Sequence, residues 1–355
     1  MKTKDVVHIR VGLLGYGLAG SVFHGPLIRA APALSLDAIV TGDPERQARA
    51  SRDHPSATVL ARADDLWSMA GALDLVVVAT PNRFHLPLAL AALDAGRAVV
   101  VDKPIAPSSD EAHQLLAAAR ERNLPLTVFQ NRRWDGDFLT VRRLLDAGEL
   151  GTVARFESRF ERWTPTIEVG WRESGAPGEG GGVLLDLGAH LIDQAIQLFG
   201  PVASLYAEVD RRRPGVEVDD DAFVALAHVS GTRSHLWMSA AVAQLGPRMR
   251  VLGDQAGYTK FGLDVQEDAL VGGARPGDRG FAEDARERWG ALGSEGNLRT
   301  IPTVRGRYDA FYPAVAAALR DGSPMPVDPT DSVRVLELIE LAHRSAATGQ
   351  TIRLD

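Results

Sequence analysis

Residues 6–14 run apolar and β-branched straight into Gly15-Tyr16-Gly17-Leu18-Ala19-Gly20, and a helical stretch opens behind the third glycine. A strand that ends in G-x-G-x-x-G and turns into a helix leaves few folds open. Gly15 allows the tight turn, Gly17 lets backbone approach a pyrophosphate, and Gly20 lets the helix pack close on the strand. The helix start then offers free N–H groups to phosphates. Residues 15–20 are therefore candidate dinucleotide contacts, provided the rest of the chain supplies the matching sheet.

It does. Residues 36–40 form a second strand pattern and 45–53 a second helix. Residues 73–79 and 98–101 are continuous apolar runs, the signature of strands buried on both faces. Residues 19–31 and 85–95 are helical, the latter stopped by Gly96, and Ser108-Ser109-Asp110-Glu111 is a capping box for a helix to about 122. Residues 126–129 give one more strand. This alternation implies an α/β chain whose residues 1–130 form a Rossmann, doubly wound parallel sheet that binds NAD(P).

From residue 131 the pattern changes. Residues 152–163 alternate, with Ala154, Phe156 and Phe160 inward and Arg155, Glu157, Arg159 and Glu161 between them, as in a half-solvated antiparallel strand. Further strands are expected at 203–210, 222–228, 233–241 and 248–252, with helices at 184–199, 308–320 and 332–348. Residues 131–355 are thus expected to form a C-terminal α+β domain on a largely antiparallel open sheet. Residues 271–303, rich in Gly and Arg, are expected to form a long surface loop.

The 355 residues carry a net charge of −7 and no cysteine. Thiolate nucleophiles, disulfides and thiolate metal sites are excluded. The negative balance argues against nucleic acid or an anionic membrane as partner. No apolar signal run opens the sequence, and the longest apolar stretches fall far short of the ~18 residues of a membrane helix. The expected location is the cytoplasm.

Chemistry gathers at strand ends and on one helix. Thr80-Pro81-Asn82, with His85 beyond, follows the strand at 73–79; Asp102-Lys103-Pro104 follows the strand at 98–101. Ligands of α/β sheets bind at that edge. Pro104 is a candidate for a cis bond. Asp186, His190 and Asp193 stand at i, i+4 and i+7, one face of a helix, among apolar neighbours. Charged groups there need partners or work. Asp and His at i, i+4 can bind zinc, but no H-E-x-x-H or second histidine cluster accompanies them, so no metal is expected. Thr41 stands where an acid usually bonds the ribose 2′-hydroxyl, with Asp43 two residues on. Thr41 and Arg46 suit a 2′-phosphate, and Asp43 suits NAD; the balance leans to NADP. Asn131, Arg132, Arg133 and Trp134, with Trp163 and Trp171, offer hydrogen-bond donors and aromatic faces for a substrate. His24 either packs beside the first helix or faces the cofactor. Tyr308 and Tyr312 share a helical face, as core residues do. Arg211-Arg212-Arg213 and Asp219-Asp220-Asp221 suggest a charged turn.

The glycine loop, the T-P-x-x-x-H segment from Thr80 to His85, the acid-Lys103-Pro104 run and the Asp186-x-x-x-His190-x-x-Asp193 helix together resemble the Gfo/Idh/MocA (glucose–fructose oxidoreductase/inositol 2-dehydrogenase) family. Phe23-His24-Gly25-Pro26-Leu27-Ile28, the segment 130–140 and Trp171-Arg172-Glu173 resemble its scyllo-inositol dehydrogenase-like branch. Asp102 departs from the family's more usual Glu, with charge kept and reach shortened. The resemblance implies an NAD(P)-dependent dehydrogenase of a cyclic polyol or sugar hydroxyl. Lys103 matches the catalytic lysine, Asp186 the substrate-side aspartate, His190 the catalytic histidine and Asp193 its acidic neighbour. It also implies a homodimer or homotetramer through the open sheet. An imidazole titrates near working pH and suits proton transfer, and an ammonium stabilises an alkoxide. A lysine of lowered pKa serves equally as base, so Lys103 and His190 both stay open as proton acceptor. Two other classes stay open as well: an epimerase, lyase or glycoside-cleaving enzyme that uses bound NAD transiently, and a dinucleotide sensor without turnover.

Overall fold

The computed structural model describes residues 8–167, 173 and 180–354; Trp171 lies outside them. By its internal contacts the chain forms two compact units. The first comprises residues 1–131, 267–281 and 308–333, and the second 132–266, 282–307 and 334–355. The later chain thus returns twice to the first unit.

The first unit is built on six parallel strands, β1 (Ile9–Leu14), β2 (Leu34–Val40), β3 (Thr58–Leu60), β4 (Leu75–Val78), β5 (Ala98–Asp102) and β6 (Leu126–Phe129), in the order β3-β2-β1-β4-β5-β6. Val11, Leu13, Val76, Val77, Val99, Val100 and Val101 are fully buried, which is why these strands read as unbroken apolar runs. The chain switches direction between β1 and β4, and the crevice at such a switch is where α/β sheets take ligands. The expected helix at 19–31 is really two pieces. A wide π-helical turn spans Ala19–His24, closed by the Gly25 N–H on the Gly20 carbonyl, and an α-helix spans Gly25–Arg29.

The second unit carries nine strands: β7 (Val153–Glu161), β8 (Val202–Asp210), β9 (Asp221–His228), β10 (Arg233–Ser239), β11 (Met249–Gly253), β12 (Gly257–Lys260), β13 (Gly290–Ser294), β14 (Asn297–Ile301) and β15 (Ile352–Arg353). Their order is β14-β13-β12-β11-β7-β10-β9-β8-β15. All pairings are antiparallel except β7 with β10. Phe156, Phe160, Leu236 and Met238 are buried on the face that the helix Ala189–Phe199 covers. Among the described residues no helix is long and apolar enough to cross a membrane.

Three further expectations are corrected. Ala154 is exposed rather than inward: β7 pairs Leu252 with Arg155 but Gly253 with Val153, so Ala154 bulges out of register. Glu157 is buried rather than solvated, ringed by Arg155, Arg159 and Arg250. Residues 271–303 are not one loop, because they contain the β13–β14 hairpin. Glycine hid it: Gly290 lies where a Cβ would meet the Tyr258 ring, so close approach replaces the usual alternation.

Candidate active site

In the first unit the glycine loop is shaped by contacts that a side chain would block. Gly15 sits at φ +99°, donates its N–H to the Val40 carbonyl at 2.9 Å, and would run a Cβ into the Ala79 carbonyl. A Cβ on Gly20 would meet the Gly15 carbonyl. Tyr16 is buried, and its hydroxyl donates to Asp53 at 2.8 Å. Burial first, then the Asp53 carboxylate, push its phenol well above the ordinary range. Arg49 lies over the Tyr16 ring and donates to the Tyr16 carbonyl at 3.1 Å. Leu18 is exposed, and Ala19 opens the wide turn with no side-chain cap on its N-terminus.

At the end of β2, Thr41 is buried, donating its N–H to Leu60 and accepting Gln47 Nε2 at 2.8 Å on its carbonyl. Asp43 caps the helix Pro44–Asp53, accepting the Arg46 N–H at 3.0 Å. Arg46 itself is exposed, and its Nη1 lies 3.8 Å from where a Cβ on Gly17 would stand. A guanidinium therefore flanks the glycine loop, while the nearby carboxylate is committed to a cap.

At the ends of β4 and β5, Thr80 Oγ1 is buried without a hydrogen-bond partner in the protein. Asn82 is buried in the turn Asn82–Phe84, behind Pro81. His85 points inward. It is 1% exposed, with Nδ1 2.7 Å from the Pro104 carbonyl and Nε2 2.9 Å from the Thr80 carbonyl. It ties the two strand ends together. Burial holds its imidazole below the usual range, against the pull of Asp102 and the two carbonyls. Asp102 Oδ1 accepts the Lys103 N–H at 2.8 Å. Burial alone would raise the Asp102 carboxyl; His24, His85 and Lys103 around it more than offset that and hold it below the ordinary range. The Lys103–Pro104 peptide is cis.

In the second unit the helix that carries Asp186, His190 and Asp193 does not have one uniform spacing. A wide π-helical turn spans Leu184–Gly188 before the α-helix Ala189–Phe199. Asp186 is half-buried on the wide turn, and His190 and Asp193 are buried on the tighter helix. Asp186 thus stands on a turn of different width from the helix that carries His190 and Asp193. Arg133 clamps Asp193, donating from Nε at 2.9 Å and Nη2 at 2.6 Å. Gln194 donates to the Arg132 carbonyl at 2.8 Å and accepts Arg248 Nη2 at 3.0 Å. Arg132 is buried, 3.4 Å from Asp135 and over the Phe160 ring. The Trp134 carbonyl accepts the Arg307 N–H at 2.8 Å. Asn131, buried, ends the first unit's opening stretch. Trp163 is exposed and bridges to Ala241 at the end of β7.

Two anchors escaped the sequence. Asp219 Oδ2 accepts the Leu184 N–H at 2.7 Å and occupies the space beside Gly182, φ +99°, where a Cβ would collide with it. Burial pushes its carboxyl up, and the Leu184 N–H pulls it back in part. The triple-glycine run before the helix makes room for this carboxylate. The charged turn expected there holds a buried member: Arg213 pairs with Asp220 at 2.8 Å and Glu173 at 3.1 Å.

The chain compares with known proteins along its whole length. Residues 9–130 match the GFO/IDH/MocA profile described as oxidoreductase family, NAD-binding Rossmann fold, and residues 142–354 match its C-terminal alpha/beta domain. An uncharacterized oxidoreductase of Escherichia coli, YdgJ, is 41% identical over 98% of this chain and 99% of its own. The scyllo-inositol 2-dehydrogenase (NADP(+)) IolW of Bacillus subtilis is 35% identical over 99% of this chain and 98% of its own. The solved oxidoreductase yvaA of Bacillus subtilis superposes with a TM-score of 0.93 at 34% identity, covering 99% of this chain and 100% of that one.

Proposed function

The chain belongs to the Gfo/Idh/MocA oxidoreductase family, and from that premise we propose that it is an NAD(P)-dependent dehydrogenase that interconverts a secondary hydroxyl of a cyclic polyol or sugar, of the scyllo-inositol kind, with the ketone. One observation carries this: the strand ends of the first unit combine a glycine cradle, an orphaned buried Thr80 hydroxyl and the Asp102-Lys103 pair. The cradle and the orphaned hydroxyl fit a dinucleotide. Gly15 to Gly20 would hold its pyrophosphate, and Thr80, Pro81 and Asn82 would line its nicotinamide end. When bound, the nicotinamide exchanges hydride with the substrate carbon.

Arg46 beside Gly17, a neutral Thr41 and an Asp43 committed to capping favour the 2′-phosphate of NADP. The name of the relative IolW points the same way. Lys103 stabilises the developing alkoxide, and His190 takes the hydroxyl proton. Asp186 binds a neighbouring substrate hydroxyl, and Asp193 holds the helix through Arg133. Asn131, Trp134 and Trp163 are the proposed polyol contacts. Arg132, turned onto Asp135 and Phe160, supports the segment that carries them. The half-buried aromatic face of the open sheet, with Arg159 4.0 Å over Trp237 and Phe223 beside it, is the proposed face of self-association. Sedimentation of a Trp237→Lys variant checks it: dissociation to monomers is expected, and an unchanged sedimentation coefficient rejects that face.

Nicotinamide absorbance, followed separately with NAD⁺ and NADP⁺ over inositols, hexoses and short polyols, tests the function beside Lys103→Ala and His190→Ala. Reduction of NADP⁺ by one polyol, lost by about two orders of magnitude or more in both variants, is expected. Cofactor binding with no net reduction on any member of the panel rejects the dehydrogenase in favour of internal redox chemistry or sensing.

A further inference from the structure

One buried polar pair in the first unit, His24 and Tyr312, has no part in the proposed function. His24 ends the wide turn Ala19–His24, is 0% exposed, and packs on the Phe129 ring with centroids 4.5 Å apart. Its Nδ1 lies 2.6 Å from the Tyr312 hydroxyl, brought in from 288 residues away. Its Nε2 faces Asp102 Oδ2 at 3.8 Å, beyond hydrogen-bond length but within charge contact. The other oxygen of Asp102 takes the Lys103 N–H. The charged and titratable groups in and around this pair are Asp102 and Lys103 from the end of β5, His85 from the helix His85–Asp94, and Tyr312 from the helix Phe311–Asp321.

The direction of the hydrogen bonds follows. Burial and the Asp102 charge push the Tyr312 phenol well above its ordinary range, so it keeps its proton. A phenol hydroxyl can donate or accept; donation to His24 Nδ1 is the arrangement that leaves no ring lone pair facing the Asp102 carboxylate. The remaining ring proton then sits on Nε2, aimed at the Asp102 carboxylate. Mere packing would ask for neither a hydroxyl at hydrogen-bond length nor a carboxylate partner.

We propose that His24, held in its Nε2–H form by Tyr312, is a positioning residue: it fixes the Asp102 carboxylate and, through it, Lys103. This rests on the assignment of Lys103 as a catalytic group, yet it is testable without any substrate. Lys2, Lys4, Lys103 and Lys260 are the lysines of the sequence, so the acylation rate of Lys103 by an N-hydroxysuccinimide ester can be mapped by mass spectrometry on the full-length protein. Glutamine places an amide nitrogen where His24 has Nε2; asparagine places it where His24 has Nδ1. The experiment compares the parent, His24→Gln, His24→Asn and Tyr312→Phe, and adds histidine ¹⁵N spectra of the parent and Tyr312→Phe.

The parent spectrum is expected to show Nε2 protonated and Nδ1 as acceptor, and Tyr312→Phe to lose that single form. The Lys103 acylation rate is expected to change about threefold or more in His24→Asn and Tyr312→Phe, the scale of one hydrogen bond, and to return most of the way to the parent value in His24→Gln. An Nδ1–H tautomer in the parent, or equal effects of Asn and Gln, overturns the proposal. If His24→Asn does not fold, Tyr312→Phe, which removes only a hydroxyl, decides alone. Where a polyol is turned over, kcat falls in the Asn and Phe variants with the cofactor KM unchanged. Failure of every polyol while Lys103 labelling still responds rejects the dehydrogenase and leaves the positioning role standing.

Discussion

Arg133→Met removes half of a buried ion pair and leaves the other half in place. The Asp193 side chain is 3% exposed and that of Arg133 10%, and two N–H groups reach the carboxylate at 2.9 and 2.6 Å. After the substitution Asp193 holds its charge where water scarcely reaches. Losing one partner of a buried pair costs about 3–5 kcal/mol, and the two-pronged geometry puts this pair toward the upper end. For a unit of roughly 200 residues each kcal/mol moves Tm by about 2–4 °C, so a fall of roughly 6–20 °C is expected. The double variant Arg133→Met/Asp193→Leu removes both charges. It is expected within about 2 kcal/mol of the parent, because desolvation offsets most of a buried pair's attraction. Calorimetric melts of the parent, both single variants and the double variant measure the coupling directly. A loss below about 1 kcal/mol in Arg133→Met, or losses that simply add, would refute the view of this pair as a buried clamp on the helix that carries His190.

Three further outcomes are expected. Arg46→Ala should lower kcat/KM for NADP⁺ by about 10–100-fold, the worth of a hydrogen bond to a charged group, and leave NAD⁺ nearly unchanged in steady-state kinetics; equal losses with both cofactors would remove Arg46 from the 2′-phosphate. Asp219→Ala should lose the acceptor of the Leu184 N–H, destabilising the helix start by about 1–2 kcal/mol in denaturant titrations. Burial holds His54, His85 and His228 below the ordinary imidazole range. The unfolded chain therefore takes up protons near pH 6.5 that the folded chain refuses, and stability should fall as pH drops through that value, by up to about 1.4 kcal/mol per pH unit for each histidine. His228→Gln should reduce that slope in melts between pH 7 and 5, and an unchanged slope would show that His228 does not contribute to it.

The parallel sheet was legible because strands buried on both faces leave unbroken apolar runs, and the glycine loop because its three glycines answer separate steric demands. The hairpin at 290–301 was not, since a glycine under the Tyr258 ring carries no alternation to detect. The bulge at Ala154 was hidden for a different reason: it is set by the register against β11, not by the sequence of β7. At the site, residue types could be named but partners could not. Arg133 and Asp193 are 60 positions apart, and His24 and Tyr312 are 288 apart. No local spacing records such pairs; they exist only once the chain has returned on itself.

Both wide turns have the same physical logic. An extra residue in one turn rotates everything beyond it by about 100° relative to an unbroken α-helix. In the first unit this lets one short helix do two things: leave the N–H groups behind Gly17 uncapped and turn His24, only a few residues on, into the core. Closing the wide turn brings backbone to backbone. A Cβ at Gly25 would stand 3.0 Å from the Gly20 carbonyl and 2.8 Å from His54 Nε2, so glycine is what allows the closure. In the second unit Gly188 has the matching place: a Cβ there would lie 3.0 Å from Leu184 Cδ1 and 3.5 Å from Met238 Cε, and the turn it ends leaves Asp186 half-buried while His190 goes into the core. An i, i+4 reading assumes every turn has the same width, and the spacing of Asp186 and His190 in the sequence did not record the wide turn between them.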